Sequence, residues 1–147
     1  MSGRAAPSGP PARLLLADSD PALRRVLHLA LEAHGYQVAL ADTAAVALEL
    51  AGDQHPDLIV LDCGLPGAAA AIQALRRASA TPILLLTWPT DSHRQAALDI
   101  AAADALTKPF GIDELLQRLG ALRGPAHSPS RQGQKDTTGG GAPWAPS

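Results

Sequence analysis

Asp57-Leu58-Ile59-Val60-Leu61-Asp62-Cys63-Gly64-Leu65-Pro66 decides how the rest of this chain is read. The apolar run from Leu58 to Leu61 describes a short strand buried on both faces, as strands of parallel sheets are. The strand runs into a carboxylate, and Gly64 and Pro66 then break it. Open α/β sheets place their chemistry at the carboxyl ends of such strands. Taken alone, Asp62 could equally be a residue that caps the following turn. The flanking sequence separates the two readings.

Upstream, residues 13–17 form a second buried apolar run, closed by Asp18-Ser19-Asp20-Pro21. Asp20 is a good N-cap and Pro21 a good first helical residue. The predicted helix carries Leu23, Val26, Leu27, Ala30 and Leu31 on one stripe and stops at Gly35. Residues 36–40 are a strand. Asp42 or Thr43 caps a helix bearing Val46, Ala47 and Leu50, which ends near Gly52. Downstream of Asp62, residues 68–78 are helical by propensity, anchored by Ile72 and Leu75. Residues 81–87 are a strand that tolerates Pro82 at its start. Thr90 and Asp91 offer caps for a helix to about Ile100. Residues 104–107 form a short strand leading into Lys108-Pro109, and a last helix has Ile112, Leu115, Leu116, Leu119 and Leu122 on one face.

Bulk properties exclude several classes. The 147 residues suit one ordinary domain, and a net charge of −2 gives no basic footprint for nucleic acid or membrane. The single cysteine rules out an internal disulfide, and the histidines lack a metal-ligand spacing. No apolar run approaches the roughly 20 residues of a membrane span. The N-terminus has no apolar signal-peptide region, so the expectation is a cytoplasmic protein. Residues 1–12 and 124–147 are rich in Gly, Pro, Ser and Ala and are expected to be disordered, flanking one domain at 13–123.

Predicted strands alternate with predicted helices five times, which argues for a parallel sheet covered on both faces. Right-handed crossovers then align the strands' carboxyl ends along one edge. That edge collects Asp18, Asp62, Thr87 and Lys108. Two carboxylates can hold a divalent cation, a hydroxyl can bind a phosphoryl oxygen, and an ammonium can neutralise another. The combination favours phosphoryl transfer onto a carboxylate, and Asp62 on the central strand is the natural acceptor.

In these four positions, and in the blocks from Asp57 to Pro66 and Lys108-Pro109-Phe110-Gly111-Ile112, the chain resembles the receiver domain of two-component response regulators. The likeness runs from Leu14 to about Leu122 and is nearest to receivers of winged-helix (OmpR/PhoB-class) regulators. The resemblance implies a flavodoxin-like doubly wound (βα)5 fold with strand order 2-1-3-4-5. It implies phosphorylation of Asp62 by a histidine kinase or phosphotransfer protein. Mg2+ would be held by Asp18, Asp62 and the Gly64 carbonyl, with Thr87 and Lys108 contacting the phosphoryl group. It also implies a cis Lys108–Pro109 bond. The helix from Thr90, the last strand and the last helix would form a dimer face, on which Asp104 and Arg118 could pair across a two-fold axis.

Several positions depart from the family pattern. Ser19 stands where the family has a second acid, and a hydroxyl is a poorer Mg2+ ligand than a carboxylate. Trp88 follows the switch hydroxyl where a small residue is usual; it is either a lid over the site or core packing. Ala101 takes a place usually held by Gly, and Ala105 the place of the switch aromatic. Without that ring, coupling to the dimer face should be weak, so a mostly monomeric protein is expected. Cys63 reads as a small buried filler, and Arg24 and Arg25 as solvated helix charges. Trp144 has no evident partner.

Three functions compete. The first is a phospho-accepting receiver without an attached effector domain, not an enzyme. The second is a degenerate pseudo-receiver that docks proteins without phosphorylation, which Ser19, Trp88 and Ala105 favour. The third is an aspartate-nucleophile phosphatase, suggested by Asp18-Ser19-Asp20; it lacks the later acidic metal-ligand block that such enzymes need.

Overall fold

The computed structural model of the chain describes residues 12–90 and 104–123. Its strands are β1 (Arg13–Ala17), β2 (Gln37–Ala41), β3 (Leu58–Asp62), β4 (Ile83–Thr87) and β5 (Asp104–Thr107). Between them lie helices α1 (Pro21–Ala33), α2 (Ala44–Gln54) and α3 (Ala68–Ala78), with α4 (Ile112–Arg123) last. The helix expected from Thr90 to about Ile100, together with Ala101, Trp144 and the segments 1–11 and 124–147, lies outside the described residues.

All strand pairs are parallel, in the order β2-β1-β3-β4-β5. The uniform apolar runs of β1, β3 and β4 follow from burial on both faces. Alternate residues point to opposite layers. Leu15, Ile59, Leu61, Ile83 and Leu85 pack with Ala47 of α2 and with Ala68, Ile72 and Leu75 of α3. Leu14, Leu16, Val60, Leu84 and Leu86 face the other way, against Leu27 and Leu31 of α1 and Leu115 and Leu119 of α4. Helices therefore cover both sides of a doubly wound, flavodoxin-like sheet.

The helix ends show where local chemistry was read well and where it was not. The Asp20 carboxylate accepts from the Ala22 and Leu23 amides and caps α1, as its position predicted. Gly35 takes a φ of +92° just past the helix, a left-handed conformation that glycine adopts without a Cβ penalty. Thr43, rather than Asp42, caps α2. That helix does not end near Gly52 but runs on to Gln54, because the stop comes from Pro56, which disfavours helical geometry at His55. Strand β2 is offset by one residue from the expected 36–40. Val26, placed on the buried stripe of α1 by its spacing, is 54% exposed: the burying face is centred on Leu27 and Leu31, and Val26 lies one helical step to its side.

At the amino-terminal edge the strands are tied to one another. The Arg13 amide donates to Asp57 Oδ2 at 2.8 Å, and the Asp57 amide donates back to the Arg13 carbonyl at 2.8 Å. The Arg123 guanidinium, at the end of α4, stands over the Tyr36 ring, 5.5 Å from its centroid. No described helix is long and apolar enough to cross a membrane.

Candidate functional site: an acidic pocket at the carboxyl edge

The opposite edge gathers Asp18, Asp62, Thr87 and Lys108, the only polar or charged residues among those described to be buried. Burial of charge at the mouth of an apolar sheet is costly unless each group finds a partner.

Asp18 leaves β1 with its amide still bonded to the Ala41 carbonyl at 3.1 Å, so its direction is fixed by the sheet. Its side chain is fully buried, and Oδ1 accepts from the Asp20 amide at 2.9 Å. Asp62 ends β3 with 6% exposure, and its Oδ1 accepts from the Gly64 amide at 3.1 Å. Lys108 follows β5, with its own amide on the Thr87 carbonyl at 2.6 Å and a cis bond to Pro109. This anchoring carries the lysine stem inward. Lys108 Nζ lies 3.0 Å from Asp18 Oδ2 and 3.5 Å from Asp62 Oδ1, so one ammonium bridges both carboxylates. The Thr87 hydroxyl is buried at the end of β4 and has no hydrogen-bond partner among the described residues.

Burial pushes the Asp62 carboxyl above the usual carboxylate range. The Gly64 amide opposes this shift, the Asp18 charge adds to it, and Lys108 opposes it. With the folded pKa above the unfolded one, the folded state binds the proton more tightly, so stability falls as pH rises through the window between them. At neutral pH Asp62 is thus a net cost to folding. Asp62→Asn is expected to raise neutral-pH stability, the gain fading as pH falls below the ordinary carboxylate pKa. Thermal melts at pH 7 and pH 4 check this; an equal gain at both would show that the ionisation of Asp62 is not its source.

Further contacts bear on the sequence reading of residues outside these four. Arg24 is not simply solvated: its Nη1 donates to the Asp18 carbonyl at 2.8 Å, bracing the turn that carries the carboxylate. Trp88 is not core packing, being 51% exposed with its ring centroid 5.7 Å from Lys108 Nζ. Arg118 and Asp104 pair within one chain at 3.2 Å, and Arg118 also donates to the Ala105 carbonyl at 2.7 Å. Cys63 is buried in the core on the α2–α3 side. Ser19 is exposed, and the Asp20 carboxylate is engaged in capping α1.

Oxygen donors suit a hard divalent cation. Among the described residues no three His, Cys, Asp or Glu side chains converge, so a cation would rest on the pair Asp18 and Asp62 and on neutral oxygens. Both carboxylates lie within 3.5 Å of a single point, the Lys108 nitrogen, which fits a shared cation.

The doubly wound sheet thus carries two buried carboxylates, an ammonium and a hydroxyl at its carboxyl edge. Residues 14–120 match the response regulator receiver domain family, and the chain belongs to that family. It is 41% identical over 111 residues to the transcriptional regulatory protein KdpE of Mycobacterium tuberculosis (strain ATCC 25618 / H37Rv), which covers 74% of this chain and 49% of the relative. It is 40% identical over 114 residues to the response regulator MprA of Mycobacterium leprae (strain TN), covering 75% of this chain and 50% of the relative. Both relatives are regulators of the OmpR/PhoB class. The chain spans about half the length of the curated relatives it matches. Among solved structures, the receiver domain of the TMAO respiratory system response regulator TorR superposes with a TM-score of 0.71 at 31% identity, over 76% of this chain and 96% of that one. The receiver domain of the sensor histidine kinase PA1611 of Pseudomonas aeruginosa PAO1, solved with a magnesium ion in its active-site cleft, gives 0.70 at 29%, over 77% and 98%.

Proposed function

We propose that this chain is a phospho-accepting receiver of a two-component signalling system, modified on Asp62 by a histidine kinase or phosphotransfer protein. The observation that carries the reading is the buried Thr87 hydroxyl without a partner among the described residues, on the same edge as Asp62 and the Lys108 ammonium. A buried unpaired hydroxyl is costly, and a phosphoryl oxygen on Asp62 would satisfy it. In the reaction an Asp62 carboxylate oxygen attacks the phosphorus of a phosphohistidine. The P–N bond breaks, the imidazole leaves with its electron pair, and an acyl phosphate forms. Lys108 offsets the added charge on one oxygen, and Thr87 donates to another.

Mg2+, held by Asp18, Asp62 and the Gly64 carbonyl, would neutralise charge on the transferring group. With Ser19 contributing no carboxylate, its binding is weak. The chain acts in the cytoplasm through protein partners, with no direct contact to nucleic acid, in keeping with its net charge of −2. Arg118 is already engaged within the chain, which supports a mostly monomeric resting protein, with the Asp104/Arg118 face available to a dimer.

The test is incubation with acetyl phosphate and Mg2+, followed by intact mass. One added phosphoryl group is the expected result. No uptake from acetyl phosphate or from a phosphorylated histidine kinase would favour the second reading, a pseudo-receiver that docks proteins unmodified. The observation behind that alternative is Lys108 filling the space between the two carboxylates, where a third acid is missing.

A further inference from the structure

We infer that Trp88 is a positioning residue for Lys108: its indole face holds the ammonium on Asp18 and Asp62, and so sets how tightly a divalent cation can take the same oxygens. This rests on the reading of the two carboxylates as a cation site.

Lys108 Nζ has neighbours on two sides. The carboxylates stand at 3.0 and 3.5 Å, and the Trp88 ring at 5.7 Å from its centroid, within the range over which a cation is attracted to an aromatic face. Lysine at this position is 6% exposed, whereas Trp88 is half exposed. An indole this open to solvent contributes little to the core, in a chain with only four aromatic residues. Its ring faces the Lys108 ammonium. Indole is also the ring with the strongest cation attraction.

A divalent cation bridging Asp18 and Asp62 needs oxygens that Lys108 already occupies. Ammonium and metal therefore compete, and whatever stabilises the ammonium in place weakens the metal. A cover that merely blocked access would slow cation entry and exit equally and leave the equilibrium unchanged. A clamp on Lys108 shifts the equilibrium itself.

Mn2+ binding to the full chain, measured from the free-ion EPR signal, separates these cases. Trp88→Leu fills similar space without a π face and is expected to tighten Mn2+ about two- to fivefold. Trp88→Phe keeps an aromatic face and should stay near the wild type. In a Lys108→Met background the Trp88→Leu effect should vanish, since the two residues act as one coupled pair. In a Trp144→Phe background, Lys108→Met should also change the emission of Trp88 in the unmodified protein. The inference is overturned by an unchanged Mn2+ affinity for Trp88→Leu, or by an effect that persists without Lys108. A Trp88 emission blind to Lys108→Met, or the absence of Mn2+ binding by every variant, overturns it as well. Failure of phosphoryl uptake with these affinities as expected would count against the proposed function and leave the clamp standing. Uptake with unchanged affinities would do the reverse.

Discussion

Asp62→Asn is expected to abolish phosphoryl uptake from acetyl phosphate, reducing the added mass seen with the wild type to background. The amide keeps the shape of the side chain but has no anionic oxygen to attack phosphorus. Asp18 is a poor substitute acceptor. It is fully buried, its Oδ1 is bonded to the Asp20 amide and its Oδ2 to Lys108, and it follows β1, which does not pair with Thr87's strand β4, whereas Asp62's β3 does. Lys108→Ala should differ in kind. Uptake persists, because the ammonium does not perform the attack, while the structural response to the new charge is lost. Heteronuclear NMR of the modified protein reads the second effect, and intact mass the first. Undiminished uptake by Asp62→Asn would place the acceptor elsewhere.

Ser19→Asp is expected to tighten Mg2+ binding on the order of tenfold. A unit charge about 5 Å from a divalent cation contributes about 1.7 kcal/mol even at the dielectric of water. The position supports the estimate: Ser19 directly follows Asp18 and is exposed, so an added carboxylate meets no desolvation barrier. Asp20 does not already fill the role, since its carboxylate is held by the Ala22 and Leu23 amides. Calorimetric titration of Mg2+ into both proteins checks the prediction. Equal affinities would mean that a carbonyl or water fully replaces the missing acid.

The sheet was legible because burial on both faces leaves an unmistakable trace. The runs Leu14–Ala17, Leu58–Leu61 and Ile83–Leu86 are apolar at every position, and each is followed by a polar residue at the pocket. Asp18, Asp62, Thr87 and Lys108 could be collected on one edge from connectivity alone. What stayed hidden rests on interactions with no periodicity. The bond from Arg24 to the Asp18 carbonyl joins a side chain to a backbone atom six residues away, which no pattern of residue types encodes. Trp88 could be read as lid or core until its exposure and its distance from Lys108 were known. Asp104 and Arg118 were read as able to pair across two copies; their 3.2 Å contact within one copy depends on how β5 and α4 pack, which residue types alone do not give. The end of α2 was misplaced because Gly52 is tolerated in a final turn, whereas Pro56 disfavours helical geometry at the residue before it, His55.

The seat of Arg123 on Tyr36 has a mechanical meaning. Helix α4 begins four residues after Lys108, at the pocket edge, and its final residue is fastened at the far edge, where β2 starts. Twelve helical residues make a strut about 18 Å long. The chain therefore exits the fold on the side facing away from Asp62. A change of charge at Asp62 can therefore reach residue 123 by an axial push or tilt of this strut, or by a change at the flank it shares with α1.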